Sequence, residues 1–565
     1  MPSPDFPEPP AALDPTPLPE VDARVDKLHG QKDAWLQVSI DDRIAYLRKC
    51  MAGVRGVAPA WVDSLCQLKG VDPKSPVAGE EWLAGCATTV RNIRLLIESL
   101  QAGGQKKPPS MRTRADGQQV AQVVPDGIRD KLMFGGMTGE VWIEPGKEAS
   151  QGRIYREPKG EGRVGLILGA GNVASIPPMD LLYKLFVEDE VVILKMNPVN
   201  EVLGPHLEQA FACLIEDGFL SIVYGGAEVG GHLANHDKVG SLHVTGSNRT
   251  YDAIVWGSDP DEQARRKASG EPINDRPFSA ELGAVTPILV VPGDWNKKQV
   301  DFQARHVAAM VAQNASFNCN AGKVLVLAKG WNLREQFLEA VHGAMAATAP
   351  RKAYYPGAQQ RYDGFVEHYP QAEVLGEQGP DIVPWTAIPD VSAEPGEYAL
   401  TNEAFCGVLA EVSLEASGPT DFMQKAVPFA NDACFGTLSC VMIVDERTQK
   451  QHAAEVDEMI AGLRYGGVGV NVWPGMIYAL CSTTWGAFPG HPKSDISSGC
   501  GVVHNTFLFD HPQKSVLRGP FVPPMTPGYF ADHKHLRQLG MALVDMEAKP
   551  NAGALLSLSM AGIRG

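Results

Sequence analysis

Three side chains have the chemical types needed to work together on a carbonyl group. Cys319 stands in the polar run Phe317-Asn318-Cys319-Asn320-Ala321-Gly322, whereas a cysteine kept for packing more often has apolar neighbours. As a thiolate it is a good nucleophile toward a carbonyl carbon. Glu281 lies 38 residues upstream in Glu281-Leu282-Gly283-Ala284-Val285-Thr286-Pro287, and a carboxylate can activate water. Asn172, in the turn Gly169-Ala170-Gly171-Asn172-Val173-Ala174-Ser175, offers an amide N–H to a developing oxyanion. Each also has a plainer reading: a buried structural thiol, a solvated carboxylate at the start of a strand, and a helix N-cap. The ten cysteines are scattered with no C-x-x-C pair. Neither a disulfide frame nor a metal site is expected, and reduced thiols in a cytoplasmic protein fit best.

The elements that must position these residues alternate in type. From Arg163 the strand RVGLILGA is followed by the helix MDLLYKLFVE, then the strand DEVVILKM, the helix EVLGPHLEQAFACLIEDG, the strand FLSIVYGG, a short helix near Glu228–Asn235 and the strand VGSLHVTGS. Strands apolar on both faces belong to a parallel sheet covered by helices, and repeated βαβ units predict a doubly wound, Rossmann-like nucleotide-binding fold. A second α/β segment runs from near Thr286 to about Asn505. Helical spacing covers Val25 to about Gln101, residues 102–118 read as a loop, and Val141–Glu144 with Gly152–Glu157 read as a projecting hairpin.

Several segments, in order, resemble the aldehyde dehydrogenase superfamily. Asn314–Gly322 is similar to its N-x-G-Q-x-C-x-A-G segment, with Ser316 and Phe317 in place of Gly and Gln. Glu281–Pro287 resembles E-L-G-G-K-x-P, Val244-Thr245-Gly246-Ser247 resembles F-T-G-S, and Gly226–Gly230 resembles the preceding G-x-x-x-G turn. Glu403-Ala404-Phe405 is similar to the E-I-F segment, and Leu463–Asn471 and Ala487–Gly490 follow the late landmarks. The resemblance spans roughly residues 40–520 and implies Cys319 as nucleophile, Glu281 as general base and Asn172 with the Cys319 N–H as oxyanion donors. It implies NAD or NADP as cofactor, held by Lys195, Gly226, Gly230, Thr245, Gly246, Ser247, Leu282, Glu403 and Phe405. Pro198 stands where many NAD-preferring members place a ribose-binding Glu, and Glu201 is the next acid, so the choice between the two cofactors stays open.

The implied activity is oxidation of an aldehyde to a carboxylic acid through a cysteine thiohemiacetal and thioester. The alternatives are a CoA-acylating dehydrogenase or acyl-CoA reductase, and a catalytically silent scaffold. The implied fold is α/β, with a nucleotide-binding domain (26–137 and 161–285), a catalytic domain (286–500) and a β oligomerisation arm (138–160 and 501–520). Residues 1–25 are expected to form a disordered or extended arm and 521–565 a C-terminal extension. A homodimer or homotetramer follows from the arm. The polar stretch SDPDEQARRKASGEPIND reads as an insertion at the cofactor edge. Trp473, Trp485 and Phe488 are candidate walls of an aldehyde tunnel, or core.

Composition bounds these readings. The 565 residues are too many for one core, and 44% hydrophobic with 21% charged residues argues against disorder over most of the length. The net charge of −16 disfavours nucleic acid or an anionic membrane as a general partner. No window reaches the roughly 18 consecutive apolar residues of a membrane span, and the proline-rich, acidic N-terminus reads as neither secretory signal nor transit peptide.

Overall fold

Two β-sheets organise the chain. The computed structural model describes every residue except 1–5, 8, 10, 11, 158, 159 and 564, and the side chain of 552. The smaller sheet has six strands in the order Gly499–Cys500, Phe278–Leu282, Ser241–Gly246, Val164–Leu168, Val191–Lys195, Leu220–Val223, parallel except for its first. Its central strands are buried at every residue, because helices cover both faces. That is why they read as continuous apolar runs rather than alternating ones.

The larger sheet has eleven strands. Its parallel body runs Pro512–Arg518, Gly467–Val470, Ser439–Ile443, Pro287–Val290, Val324–Ala328, Val408–Leu414, Thr386–Val391. Beyond Pro512–Arg518 the strands Thr138–Ile143, Gln119–Val124 and Ser110–Thr113 continue it in antiparallel fashion.

Several expectations change here. The two segments expected to form the arm do pair, Thr138–Ile143 with Pro512–Arg518, but not as a separate hairpin: Pro512–Arg518 pairs on its other edge with Gly467–Val470 of the same chain. The partner of Thr138–Ile143 on its far side is Gln119–Val124, while Arg153–Arg156, expected as a strand, is a short helix. Ser110–Thr113 is a strand inside the stretch read as a loop. Cross-strand partners decide these cases, and local composition does not contain them.

The N-terminal arm is shorter than expected. A helix, Leu18–Gln37, already begins inside residues 1–25, and Val21, Val25, Leu28 and Trp35 form its buried stripe. Pro19 falls in the first turn, where its missing N–H costs nothing. The part of that expectation falling on residues 1–5, 8, 10 and 11 lies outside the described residues.

At the other end, helix Leu536–Ala548 packs on the N-terminal helices so closely that a Cβ on Gly540 would lie 2.5 Å from Trp82 Cβ. Glu547, buried there, pairs with Arg91 at 2.7 Å and with Arg94 at 2.5 Å. A second helix, Ala552–Ile563, follows. Its all-round apolar sequence has no helical stripe to read. Among the described residues no helix is long and apolar enough to cross a membrane.

Candidate active site

The helix Lys297–Ala312 ends in a tight turn in which Asn314, Ala315 and Ser316 have φ of 54°, 56° and 70°. Three successive non-glycine residues in the left-handed region are costly and persist only where surroundings over-determine them. Here they do. Asn314 Nδ2 donates to the carbonyls of Asn172 and Phe317, both at 3.1 Å, and its Oδ1 accepts from Lys69 Nζ at 2.9 Å and the Tyr354 hydroxyl at 3.1 Å. Ser316 Oγ donates to the Cys406 carbonyl at 2.9 Å. The turn delivers Cys319 to a partly open position beside Glu281.

Glu281 comes from the six-stranded sheet, near the end of Phe278–Leu282, and is 1% exposed. Burial pushes its carboxyl up to about 7. A hydrogen bond from the Cys319 thiol and the neighbouring Trp485 indole pull it down, and the charges of Asp180 and Glu403 push it up. Burial, followed by the Glu281 charge and hydrogen bond, holds the Cys319 thiol well above its usual range, with Lys323 opposing. At rest, therefore, Cys319 is held as a thiol, with Glu281 poised to titrate beside it. Glu281 Oε1 is buried with no hydrogen-bond partner among the described residues, which leaves an acceptor for a small polar molecule.

Asn172 packs against the same turn, its Nδ2 donating to the Phe317 carbonyl at 3.0 Å. That amide thereby holds the cysteine loop. Gly171, where the family pattern has Trp, is crowded: a Cβ would lie 2.7 Å from Asn197 Oδ1 and 2.8 Å from Val199 Cβ.

Glu403 is buried beneath Gly283, so closely that a Cβ there would fall 1.8 Å from its Oε2, and it pairs with Lys323 at 3.4 Å. Leu282 is also buried, its N–H donating to the Ser498 carbonyl at 2.7 Å. Cys319, Glu281, Asn172, Leu282 and Glu403 are thus gathered around one buried region.

The remaining candidates line a cleft of about 720 Å³ at the carboxyl ends of the parallel strands. Its walls include Lys195, Gly226, Gly230, Thr245, Gly246, Ser247 and Arg249. Ser247 caps the helix Asn248–Trp256 by accepting from the Thr250 N–H at 3.3 Å, so that helix N-terminus opens on the cleft. Ser258 and Ile273, at either end of the expected insertion, line it too, and Pro260–Ser269 between them is helical. Phe405 does not line the cleft. It stands edge-on to Phe6 and Tyr355, which do, at 5.2 and 5.1 Å. Glu201, the alternative ribose acid, faces away: fully buried, it accepts the Leu13 N–H at 2.9 Å and the Ala12 N–H. No carboxylate lines the cleft among the described residues, and none of their His, Cys, Asp and Glu side chains cluster as a metal site.

The profile of the aldehyde dehydrogenase family matches residues 137–356, a span that contains Asn172, Glu281 and Cys319. That segment of the chain is similar to the aldehyde dehydrogenase family. It is 25% identical over 278 residues to N-succinylglutamate 5-semialdehyde dehydrogenase of Ectopseudomonas mendocina, a match covering 48% of this chain and 44% of that relative's length. Among solved structures, the aldehyde dehydrogenase KauB of Pseudomonas aeruginosa superposes with a TM-score of 0.63 at 16% identity, over 90% of each chain. An indole-3-acetaldehyde dehydrogenase in complex with NAD⁺ gives 0.61 at 18% identity over 88% of each. The aldehyde dehydrogenase fold therefore extends far beyond the segment whose sequence is similar.

Residues that sequence reasoning passed over hold this aldehyde dehydrogenase-like centre in shape. Lys69 also donates to Glu81 at 2.7 Å and to the Asn172 carbonyl at 3.2 Å. Arg351 pairs with Glu80, which accepts the Asn314 N–H at 3.3 Å. Only Lys323, four residues after the cysteine, carried a local signal. Trp473 and Trp485 do not share a tunnel with Phe488. Trp473 Nε1 donates to the Asn320 carbonyl at 2.9 Å, Trp485 faces Glu281, and Phe488 lies under Lys514 Nζ at 5.4 Å.

Proposed function

We propose that this protein oxidises an aldehyde to a carboxylic acid with NAD(P)⁺, using Cys319 as nucleophile and water as the final acceptor. The carrying observation is the buried Glu281 carboxylate, near pH 7 in its titration and hydrogen-bonded to the Cys319 thiol. A base poised near the working pH accepts the thiol proton as sulfur adds to the carbonyl carbon. The second Asn172 amide hydrogen and the Cys319 N–H supply donors to the resulting oxyanion.

The cleft fits a dinucleotide. A helix N-terminus and two cations suit a pyrophosphate, and the glycine-lined wall lets backbone approach it. A nicotinamide held there would supply the hydride acceptor for the thiohemiacetal carbon on Cys319. The thioester left on Cys319 is then attacked by water. Glu281, having first released the thiol proton to solvent, removes the water proton as the C–O bond forms and the C–S bond breaks. The electron pair returns to sulfur, and the proton passes from Glu281 to that thiolate. Glu281 beside the thiol favours hydrolysis over transfer to CoA, and Cys319, Glu281 and Asn172 gathered together argue against a silent scaffold.

With no acid among the described residues of the cleft wall, and Lys195 and Arg249 both on it, the lining favours the 2′-phosphate of NADP⁺. The chain in solution is a homo-oligomer on this reading, as the family resemblance implies, and the substrate is a small-molecule aldehyde.

The test follows NAD(P)H formation from a panel of aldehydes by wild type and Cys319→Ala, with each cofactor and without CoA. Turnover that vanishes in the variant supports the thiol mechanism. Turnover that requires CoA overturns the hydrolytic reading, and none in any format overturns the enzymatic one.

A further inference from the structure

A second set of titratable groups is buried next to Glu281, and the chemistry above does not use it. Ser279 and Glu281 are two apart on their strand, so both side chains emerge on one face. In the parallel register Thr245 stands beside Glu281, and His243 beside Ser279. Asp180, from helix Ile176–Phe186, reaches this row. Its Oδ2 lies 3.4 Å from both the Thr245 hydroxyl and His243 Nε2, and its Oδ1 is 3.1 Å from His504 Nε2. His243 Nε2 is 3.2 Å from the Thr245 hydroxyl, and His243 Nδ1 is 2.9 Å from Ser279 Oγ.

The far end of this row is wet. Ser279 is half-buried and lines a second cleft of about 440 Å³ with Arg163, Lys184, Glu190 and Asn505. None of its wall residues is shared with the dinucleotide cleft. At the near end Glu281 Oε1 lacks a partner among the described residues, and Thr245 stands beside Glu281 across the parallel register.

Asp180 has no exposed side-chain surface. Burial would push it up, but the two imidazoles hold it below the usual carboxylate range. A charge so placed stabilises a proton in transit on an imidazole. The other titratable groups facing Glu281 are Cys319 and Glu403.

We propose that Thr245, His243, Asp180 and Ser279 form a proton path from Glu281 to the second cleft. The path rests on the reading of Glu281 as the base for water. Each turnover first places the thiol proton on Glu281, which must lose it before it can take a proton from water. The proton crosses by way of water and the Thr245 hydroxyl to His243, is held as an imidazolium opposite Asp180, and leaves from Nδ1 through Ser279 to water in the cleft. Each hop moves one proton and no electrons, so the path discharges away from aldehyde and dinucleotide. His243, Asp180 and Ser279 act through Glu281 and are positioning residues in this sense.

The experiment uses rapid mixing of the full chain with cofactor and an aldehyde that wild type oxidises, reading NAD(P)H formation and, with an indicator dye, proton release. In His243→Gln and in Ser279→Ala the first burst of NAD(P)H keeps its rate. The following turnover and proton release slow by about tenfold, less than the roughly hundredfold or more that losing a general base costs. Added imidazole restores proton release in both. Wild-type rates in Ser279→Ala overturn the path even if His243→Gln fails to fold, and so does loss of the burst in either folded variant. If instead Glu281→Gln hydrolyses its thioester as fast as wild type, the reading of Glu281 fails, an outcome distinct from failure of the path.

Discussion

The cysteine loop and the dinucleotide cleft are neighbours built in opposite ways. Around Cys319 the chain is over-determined. Three left-handed residues are clamped by Lys69, Tyr354, Asn172 and Cys406, and ion pairs from Glu80 and Glu81 stand behind them. Around the cleft the walls are glycines, short side chains, strand ends and one helix N-terminus. Bond making requires atoms held to fractions of an ångström, so the loop spends many polar contacts on few atoms. A dinucleotide requires room and backbone N–H groups, so the cleft consists largely of what has been left out.

That contrast breaks most sharply at the nucleophile. Cys319→Ala is expected to lower NAD(P)H formation by about 10³ or more while fluorescence titration shows cofactor binding intact. Loss of both would mean that loop and cleft are one unit.

Glu281→Gln comes next, with turnover down by about a hundredfold or more. In wild type, kcat rises with pH and levels off above about 7, where the carboxylate is ionised. Stability moves the other way. A carboxyl raised in the folded state favours folding only while protonated, so it costs stability progressively as pH climbs from its unfolded value near 4.5 to about 7. Glu281→Gln therefore raises the unfolding free energy at pH 8, by of the order of 3 kcal/mol, and leaves it nearly unchanged at pH 4. A lower melting temperature at pH 8 would contradict the buried, charged carboxylate.

Lys69→Met tests the clamp. Removing one partner of a buried ion pair typically costs about 3–5 kcal/mol, and here it strands Glu81 and loosens Asn314 as well. Denaturant unfolding should show that loss and kcat should fall with little change in cofactor KM. Adding Glu81→Gln should recover part of the stability.

The smallest effect belongs to the cleft. Wild type is expected to use NADP⁺ with the higher kcat/KM. Pro198→Glu, which places a carboxylate on the wall, should shift the ratio toward NAD⁺ by about tenfold, or 1.4 kcal/mol, with kcat unchanged. An unaltered ratio would place the specificity elsewhere on the wall.

Much of this was legible in the chain. The continuous apolar runs 164–168 and 191–195 mark a covered parallel sheet, because burial on both faces removes alternation. The polar setting of Cys319 suggests a reactive thiol, and the ordered family resemblance implies Glu281 and Asn172 as its partners in the proposed site. The sequence alone determined most of the elements and the residue types offered for the chemistry, since both are written in local pattern.

Tertiary structure decided what those groups become. No pattern near Glu281 announces a carboxyl pushed up to about 7, which arises from burial and from charges on other elements. No pattern near Lys69 or Glu80 points to a turn more than 200 residues away. The strands 110–113 and 119–124 found their place only by successive pairing outward from 138–143, which itself pairs with Pro512–Arg518, and Glu201, open by sequence to a ribose, is closed off by the backbone of residues 12 and 13. Desolvation, long-range hydrogen bonds and strand pairing are properties of neighbours in space, and spacing along the chain does not encode them.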